Sequence, residues 1–263
     1  MSQLLLAPEG LFPIADTADG QSALQLPIAG TIQGEGLLAG TPSLFLRLAG
    51  CNMFCHWLDV SQQVVTCDTV HALDPAKGNY ETSSRLVEKI LAHCGKIRHL
   101  VITGGEPLLQ AAALRDLLYE LRHCPKAFHI TIESNGSLFA PELLPYVNLW
   151  SFSPKLHAAF LPTQRLTQDE YIQHLNAWLQ AVQLPASIQL KFVVGTREDE
   201  QPLLEFLAHL RLRAADTVML MPLGATREAL EASTPIALEM AIRHGFRFAP
   251  RLQIMLWGNK VGV

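Results

Sequence analysis

Cys51-Asn-Met-Phe-Cys55 carries two thiols with three residues between them, and Cys67 follows after eleven more. Clustered thiols in a reducing compartment point to metal or redox chemistry. Three thiolates can hold three irons of a [4Fe–4S] cluster and leave the fourth iron open to a small molecule. The same thiols could form a Cys3His zinc site completed by His56 or His71, or pack as inert apolar groups. Spacing alone leaves these readings open, because C-x3-C is less diagnostic than C-x2-C. Cys94 and Cys124 stand apart and are expected to pack as small apolar side chains.

A second group is Val101-Ile-Thr103-Gly104-Gly105-Glu106-Pro107, an apolar run that breaks at two glycines. Glycines let backbone approach a ligand closely, and a carboxylate beside them can accept from an ammonium group. Taken alone, the segment is an ordinary glycine-rich turn between a strand and a helix. The elements around these motifs alternate. Ser43–Leu48, His99–Thr103, Phe128–Ile132, Asn148–Ser153, Ile188–Val194 and Thr217–Met221 read as strands. Ser84–Cys94, Leu108–Arg122, Asp169–Val182, Glu198–Leu210 and Arg227–Arg243 read as helices. Such alternation predicts an α/β fold with a mainly parallel sheet, open or curled into a barrel, and ligands at the carboxyl ends of its strands. Those ends carry Cys51, Gly104–Glu106, Glu133–Asn135, Ser153–Lys155 and Met221–Pro222.

Composition narrows the class. At 263 residues, 49% hydrophobic and 17% charged, the chain is too apolar for a disordered protein and long enough for its own core. A net charge of −4 is a poor basis for nucleic-acid binding. No apolar run reaches the roughly 18 residues of a membrane span. Met1–Gly10 lacks the basic region of a signal peptide. The expectation is a cytoplasmic, single-domain protein, with residues 1–26 as an N-terminal extension.

The cysteine cluster together with Gly104-Gly-Glu-Pro107 resembles the radical S-adenosylmethionine (SAM) superfamily. Within it, six motifs in order resemble the 7-carboxy-7-deazaguanine synthase family. They are Gly30-Thr-Ile32-Gln33-Gly34-Glu35-Gly36, Phe45-Leu-Arg47-Leu-Ala-Gly50-Cys51, Cys67-Asp68-Thr69, Thr103-Gly-Gly-Glu106-Pro, Glu133-Ser134-Asn-Gly136 and Ser153-Pro154-Lys155. The resemblance runs from about Pro27 to Trp257.

The resemblance implies an incomplete, shortened (β/α) barrel and a homodimer. It implies ring contraction of 6-carboxy-5,6,7,8-tetrahydropterin with loss of ammonia, and an electron donor such as a flavodoxin or ferredoxin. Cys51, Cys55 and Cys67 would hold the cluster. Thr66, Cys67, Asp68, Gly104, Gly105, Glu106, Ser134, Ser153, Pro154 and Lys155 would surround SAM, with Met221, Pro222, Leu223 and Gly224 at another strand end. Ile32, Gln33, Gly34, Glu35, Arg47 and Thr103 would face the pterin, and Thr69 would offer its hydroxyl to Mg2+. Two departures from the family pattern stand out. Nine extra residues separate the second and third cysteines, so residues 58–66 are expected to loop out as a partly packed excursion or short helix. The carboxyl end lacks the histidine often found after Gln253. The runner-up enzyme class is a glycyl-radical-enzyme activase, and a non-enzymatic zinc-binding protein is the reading from another class.

Overall fold

A computed structural model describes residues 2–14, 24, 26, 28–156, 159–160 and 166–263. Part of the expected N-terminal extension, residues 1, 15–23 and 25, lies outside the described residues. In chain order the elements are β1 (Gln3–Phe12), β2 (Thr31–Ile32), β3 (Pro42–Leu48), β4 (Met53–Phe54), β5 (His56–Leu58), β6 (Val64–Thr66), β7 (Asn79–Thr82), α1 (Ser83–His93), β8 (His99–Gly104) and α2 (Ala111–Arg122). They continue with β9 (His129–Ser134), β10 (Leu149–Phe152), β11 (Ala159–Phe160), α3 (Gln168–Ala181), β12 (Ser187–Val194), α4 (Glu200–Ala208), β13 (Thr217–Pro222), α5 (Arg227–His244), β14 (Arg247–Phe248) and α6 (Leu252–Trp257).

The main sheet runs β14-β13-β12-β10-β9-β8-β3-β1-β7. Every pair from β3 to β14 is parallel. β1 is antiparallel to β3, and β7 to β1. Among the described residues the two edges do not pair, so the barrel is incomplete. Side chains of a strand alternate between the sheet's two faces. Leu44, Leu46 and Leu48 of β3 point outward, as do Ile188, Leu190, Phe192 and Val194 of β12, into the core shared with the helices. Fully burying each such side chain contributes roughly 1.5–3 kcal/mol. The residues between them, Arg47, Thr103, Glu133, Ser151, Lys191 and Met221, face one internal cavity. A sheet whose inner faces meet on a common void is curled, as the barrel expectation requires.

Two local features differ from the sequence reading, and a third lies where that reading named no element. Residues 3–12, assigned to the extension, form a ten-residue strand of the main sheet. Its register shifts between Leu6 and Leu11 around Gly10, so its polar Pro8-Glu9-Gly10 stretch breaks the apolar pattern that marks the other strands. Residues 58–66 do not form a helix. β5 and β6 pair as a hairpin, His56 opposite Thr66 and Leu58 opposite Val64. β-branched Val64, Val65 and Thr66 favour a pleated strand. Asp59 closes the turn by accepting from the Ser61 and Gln63 backbones at 2.8 and 2.9 Å. Between β9 and β10 the connection is a 3-10 segment, Pro141–Tyr146. Pro141 and Pro145 lack the N–H groups that an α-helix there would use.

Candidate active site

The three thiols reach the cavity by different routes. Cys51 follows β3. Cys55 precedes the hairpin and Cys67 succeeds it, so the hairpin's open end brings the two together. All three line a cavity of about 440 Å3, and none is in a disulfide. Burial pushes the Cys51 thiol up to about 12, and burial also raises Cys55 and Cys67. Such thiols stay protonated until a metal cation offsets the charge. Among the described residues no three His, Cys, Asp or Glu side chains converge on a single ion position. Three thiols ringing a shared void supply soft donors of the kind that iron–sulfur clusters and zinc both take. The proposed fourth zinc ligands lie elsewhere: His71 pairs with Glu9 at 2.5 Å, and His56 is exposed.

Gly105 fits tightly behind the thiols. A Cβ there would fall 2.2 Å from the Gly50 carbonyl oxygen and 2.9 Å from Cys51 Cβ. Only hydrogen can occupy that space. Across the cavity, the Lys155 ammonium donates to Ser153 Oγ at 2.8 Å and lies 5.6 Å from the centre of the Trp57 ring. The backbone N–H of Lys155 is held by the Tyr171 hydroxyl, which itself donates to the Asn135 carbonyl at 2.6 Å.

The opposite end is densely charged. Lys191, only 4% exposed, donates to Glu35 at 2.9 Å and to Glu133 at 3.4 Å. Gln33 donates to the same Glu133 oxygen at 3.1 Å. Arg251 donates to Glu35 at 3.0 Å and to Asp68 at 2.7 Å, and Gln253 donates to Glu35 at 2.7 Å. Burial alone would raise the Glu35 and Asp68 carboxyls. The neighbouring cations outweigh it: Lys191 and Arg251 hold Glu35 well below the usual carboxylate range, and Arg251 lowers Asp68. Lys191 is likewise held charged: burial would lower it, but Glu133 and Glu35 raise it further. Arg47 lies 3.8 Å from Glu9 and 5.3 Å from the centre of the Phe12 ring, with its side chain on the cavity wall.

The structure brings most of the sequence-predicted residues to this wall. Cys51, Cys55, Thr66–Thr69, Ile32–Glu35, Arg47, Thr103–Gly105, Ser134, Ser153, Lys155, Met221, Leu223 and Gly224 all line it. Three do not. Glu106 is fully buried, with its carboxylate engaged by the Leu108 and Asn135 backbones and the Ser134 hydroxyl. Pro154 is buried beneath its turn, and Pro222 lines a separate apolar cavity between α5 and α6. Sequence reasoning missed Lys191, Arg251 and Gln253. Lys191 had a visible signal, a lone charge inside the apolar run Ile188-Gln-Leu-Lys-Phe-Val-Val194, the same pattern that exposed Arg47.

A family described as "4Fe-4S single cluster domain" matches residues 32–141, the stretch that holds all three cavity cysteines. Fold and site together define a cluster-binding partial (β/α) barrel. The chain is 35% identical over 235 residues to the 7-carboxy-7-deazaguanine synthase of Rhodopirellula baltica, covering 88% of this chain and 84% of that protein. It is 34% identical to that of Halobacterium salinarum, covering 94% and 98%. The crystal structure of QueE from Escherichia coli shares the fold, with a TM-score of 0.61 at 22% identity over 95% of this chain and 94% of that one. The chain belongs to the 7-carboxy-7-deazaguanine synthase family.

Proposed function

We propose that the protein converts 6-carboxy-5,6,7,8-tetrahydropterin to 7-carboxy-7-deazaguanine with release of ammonia. The observation that carries this reading is the shared cavity: three thiols at one end and a charged, donor-and-acceptor-rich wall at the other open onto one void of about 440 Å3. In this reading Cys51, Cys55 and Cys67 would hold a [4Fe–4S] cluster, and Asp68, Gly105, Ser153 and Lys155 would hold SAM. When bound, the two supply one-electron and hydrogen-abstraction chemistry. The protein's own residues bind and orient. Lys155 offsets the SAM carboxylate, and the Arg47 guanidinium suits the carboxylate of the substrate. Glu35, kept anionic by Lys191 and Arg251, and Glu133, paired with Lys191, accept from N–H groups on the pterin rim. Phe12, Phe45, Met53 and Trp57 line the same wall and exclude water that would quench a reactive intermediate.

Several finer features belong to the same proposal. The Thr69 hydroxyl, which donates to Asp68 at 3.0 Å, is an oxygen ligand of the kind Mg2+ favours. The active unit is a homodimer in the cytoplasm, reduced by a flavodoxin or ferredoxin. Among the described residues no helix is long and apolar enough to cross a membrane. The test is anaerobic incubation of the iron-loaded, reduced protein with SAM and the carboxytetrahydropterin. The reading expects 7-carboxy-7-deazaguanine and ammonia in equal amounts. A brown protein that leaves the pterin unchanged but installs a radical on a peptide glycine would support an activase instead. A colourless, zinc-loaded protein would remove both enzyme readings.

A further inference from the structure

Arg251 sits at the start of α6 with its side chain 12% exposed, and it uses three guanidinium nitrogens on three different segments. Nε donates to Glu35 Oε1 at 3.0 Å, Nη2 to Asp68 Oδ2 at 2.7 Å, and Nη1 to the Gly224 carbonyl at 2.5 Å. Asp68 adjoins Cys67 at the thiol end of the cavity. Glu35 belongs to the charged end, where Lys191 holds its other oxygen at 2.9 Å. Gly224 lies in the loop between β13 and α5. The residues that follow Arg251 fix the segment after β2: Leu252 N–H donates to the Gly34 carbonyl at 2.9 Å, and Gln253 donates to Glu35 at 2.7 Å. There is no slack between them, since a Cβ on Gly34 would fall 1.8 Å from Gln253 Oε1.

A guanidinium is planar and its donors form a rigid fork. One arm cannot move without re-aiming the others. A ligand that orders the Thr66–Asp68 turn therefore also orders Arg251, and through Nε it fixes the Glu35 carboxylate. The reverse holds for a ligand that engages Glu35. Such coupling between two sites is reciprocal. We propose that Arg251 is a positioning residue that couples the two ends of the cavity, so that SAM and the pterin each tighten binding of the other. The inference rests on the functional reading above, in which SAM lies beside Asp68 and the pterin beside Glu35.

The test is equilibrium binding to the iron-loaded protein, with SAM and with 6-carboxypterin as the redox-stable pterin probe, each measured alone and in the presence of the other. The wild-type protein is expected to show each ligand tightening the other by about fivefold or more, by the same factor in both directions. In Arg251→Met both ligands still bind, and the mutual factor falls to about twofold or less. Arg251→Lys keeps the charge but not the fork, so it should lose the coupling too, and it carries the test should Arg251→Met fail to fold. Coupling that survives in a folded variant overturns the inference, as does independent binding of both ligands in the wild type. A wild-type protein that binds neither probe overturns the functional reading itself, an outcome distinct from binding without coupling.

Discussion

The Glu106 carboxylate accepts the Asn135 backbone N–H at 2.7 Å, and this contact ties the turn after β8 to the turn after β9. Its other oxygen accepts from the Leu108 backbone and the Ser134 hydroxyl, each at 2.9 Å. The glutamate that the sequence suggests for a ligand ammonium is a fastener between two strand ends. Glu106→Gln would turn an amide NH2 toward one of these donors, and a buried donor left unpaired costs about 1–3 kcal/mol. The urea midpoint of the variant should fall by that amount, with SAM affinity falling in parallel. Weakened SAM binding at unchanged stability would instead show that Glu106 touches SAM directly.

Gly105→Ala should displace Cys51, because the new Cβ meets the Gly50 carbonyl oxygen at 2.2 Å and Cys51 Cβ at 2.9 Å. Backbone on one side and the Cys51 Cβ on the other leave no flexible atom to yield. Iron and sulfide per protein should drop well below the wild-type content while the far-ultraviolet spectrum stays native. Full iron content in Gly105→Ala would contradict this packing.

Lys191→Met removes the buried ammonium from half-buried Glu133 and leaves Glu35 with Arg251 as its one remaining cation. Breaking a buried ion pair from one side costs about 3–5 kcal/mol. The variant should lose about that much stability and bind 6-carboxypterin weakly. Lys191→Arg should recover much of the stability, and an unaltered unfolding midpoint in Lys191→Met would show that the two carboxylates do not depend on Lys191.

The floor of the barrel sets an acid limit. His99 is bonded to Ser43 at 2.7 Å and Thr131 at 2.8 Å, and burial, with His129 nearby, lowers its pKa to about 4. The native state therefore binds the His99 proton less readily than the unfolded chain does. Its contribution is complete above about 6.5, shrinks as pH falls toward 4, and amounts to roughly 3 kcal/mol. Unfolding midpoints measured from pH 7 to pH 4 should fall more steeply in the wild type than in His99→Gln. Parallel curves would remove His99 from the acid response.

Much of this was readable in the chain. Parallel strands covered on both faces read as apolar runs, and His99–Gly104 and Ser187–Val194 stand where those runs predict them. The cavity residues were legible as breaks in the runs: Arg47 within Ser43–Leu48, and the glycines that end β8. β1 was not, because Pro8, Glu9 and Gly10 interrupt its pattern at a register shift. The hairpin was missed because its valines suit a helix, a loop or a strand until Leu58 finds Val64. Arg251 and Gln253 gave no signal. Their partners Asp68 and Glu35 lie roughly 180 to 220 residues away in the chain, and only folding brings them together.

The central claim is that Cys51, Cys55 and Cys67 serve one cavity in which a carboxypterin is converted to a deazapurine. The most direct measurement is product formation by mass spectrometry under anaerobic, reducing conditions with SAM and the carboxytetrahydropterin, comparing the wild type with Cys67→Ala, Cys94→Ala and Cys124→Ala. The account predicts 7-carboxy-7-deazaguanine from the wild type, Cys94→Ala and Cys124→Ala, and none from Cys67→Ala, which should also lose cluster iron. Product from Cys67→Ala, or an iron-loaded wild type that forms none, would contradict it.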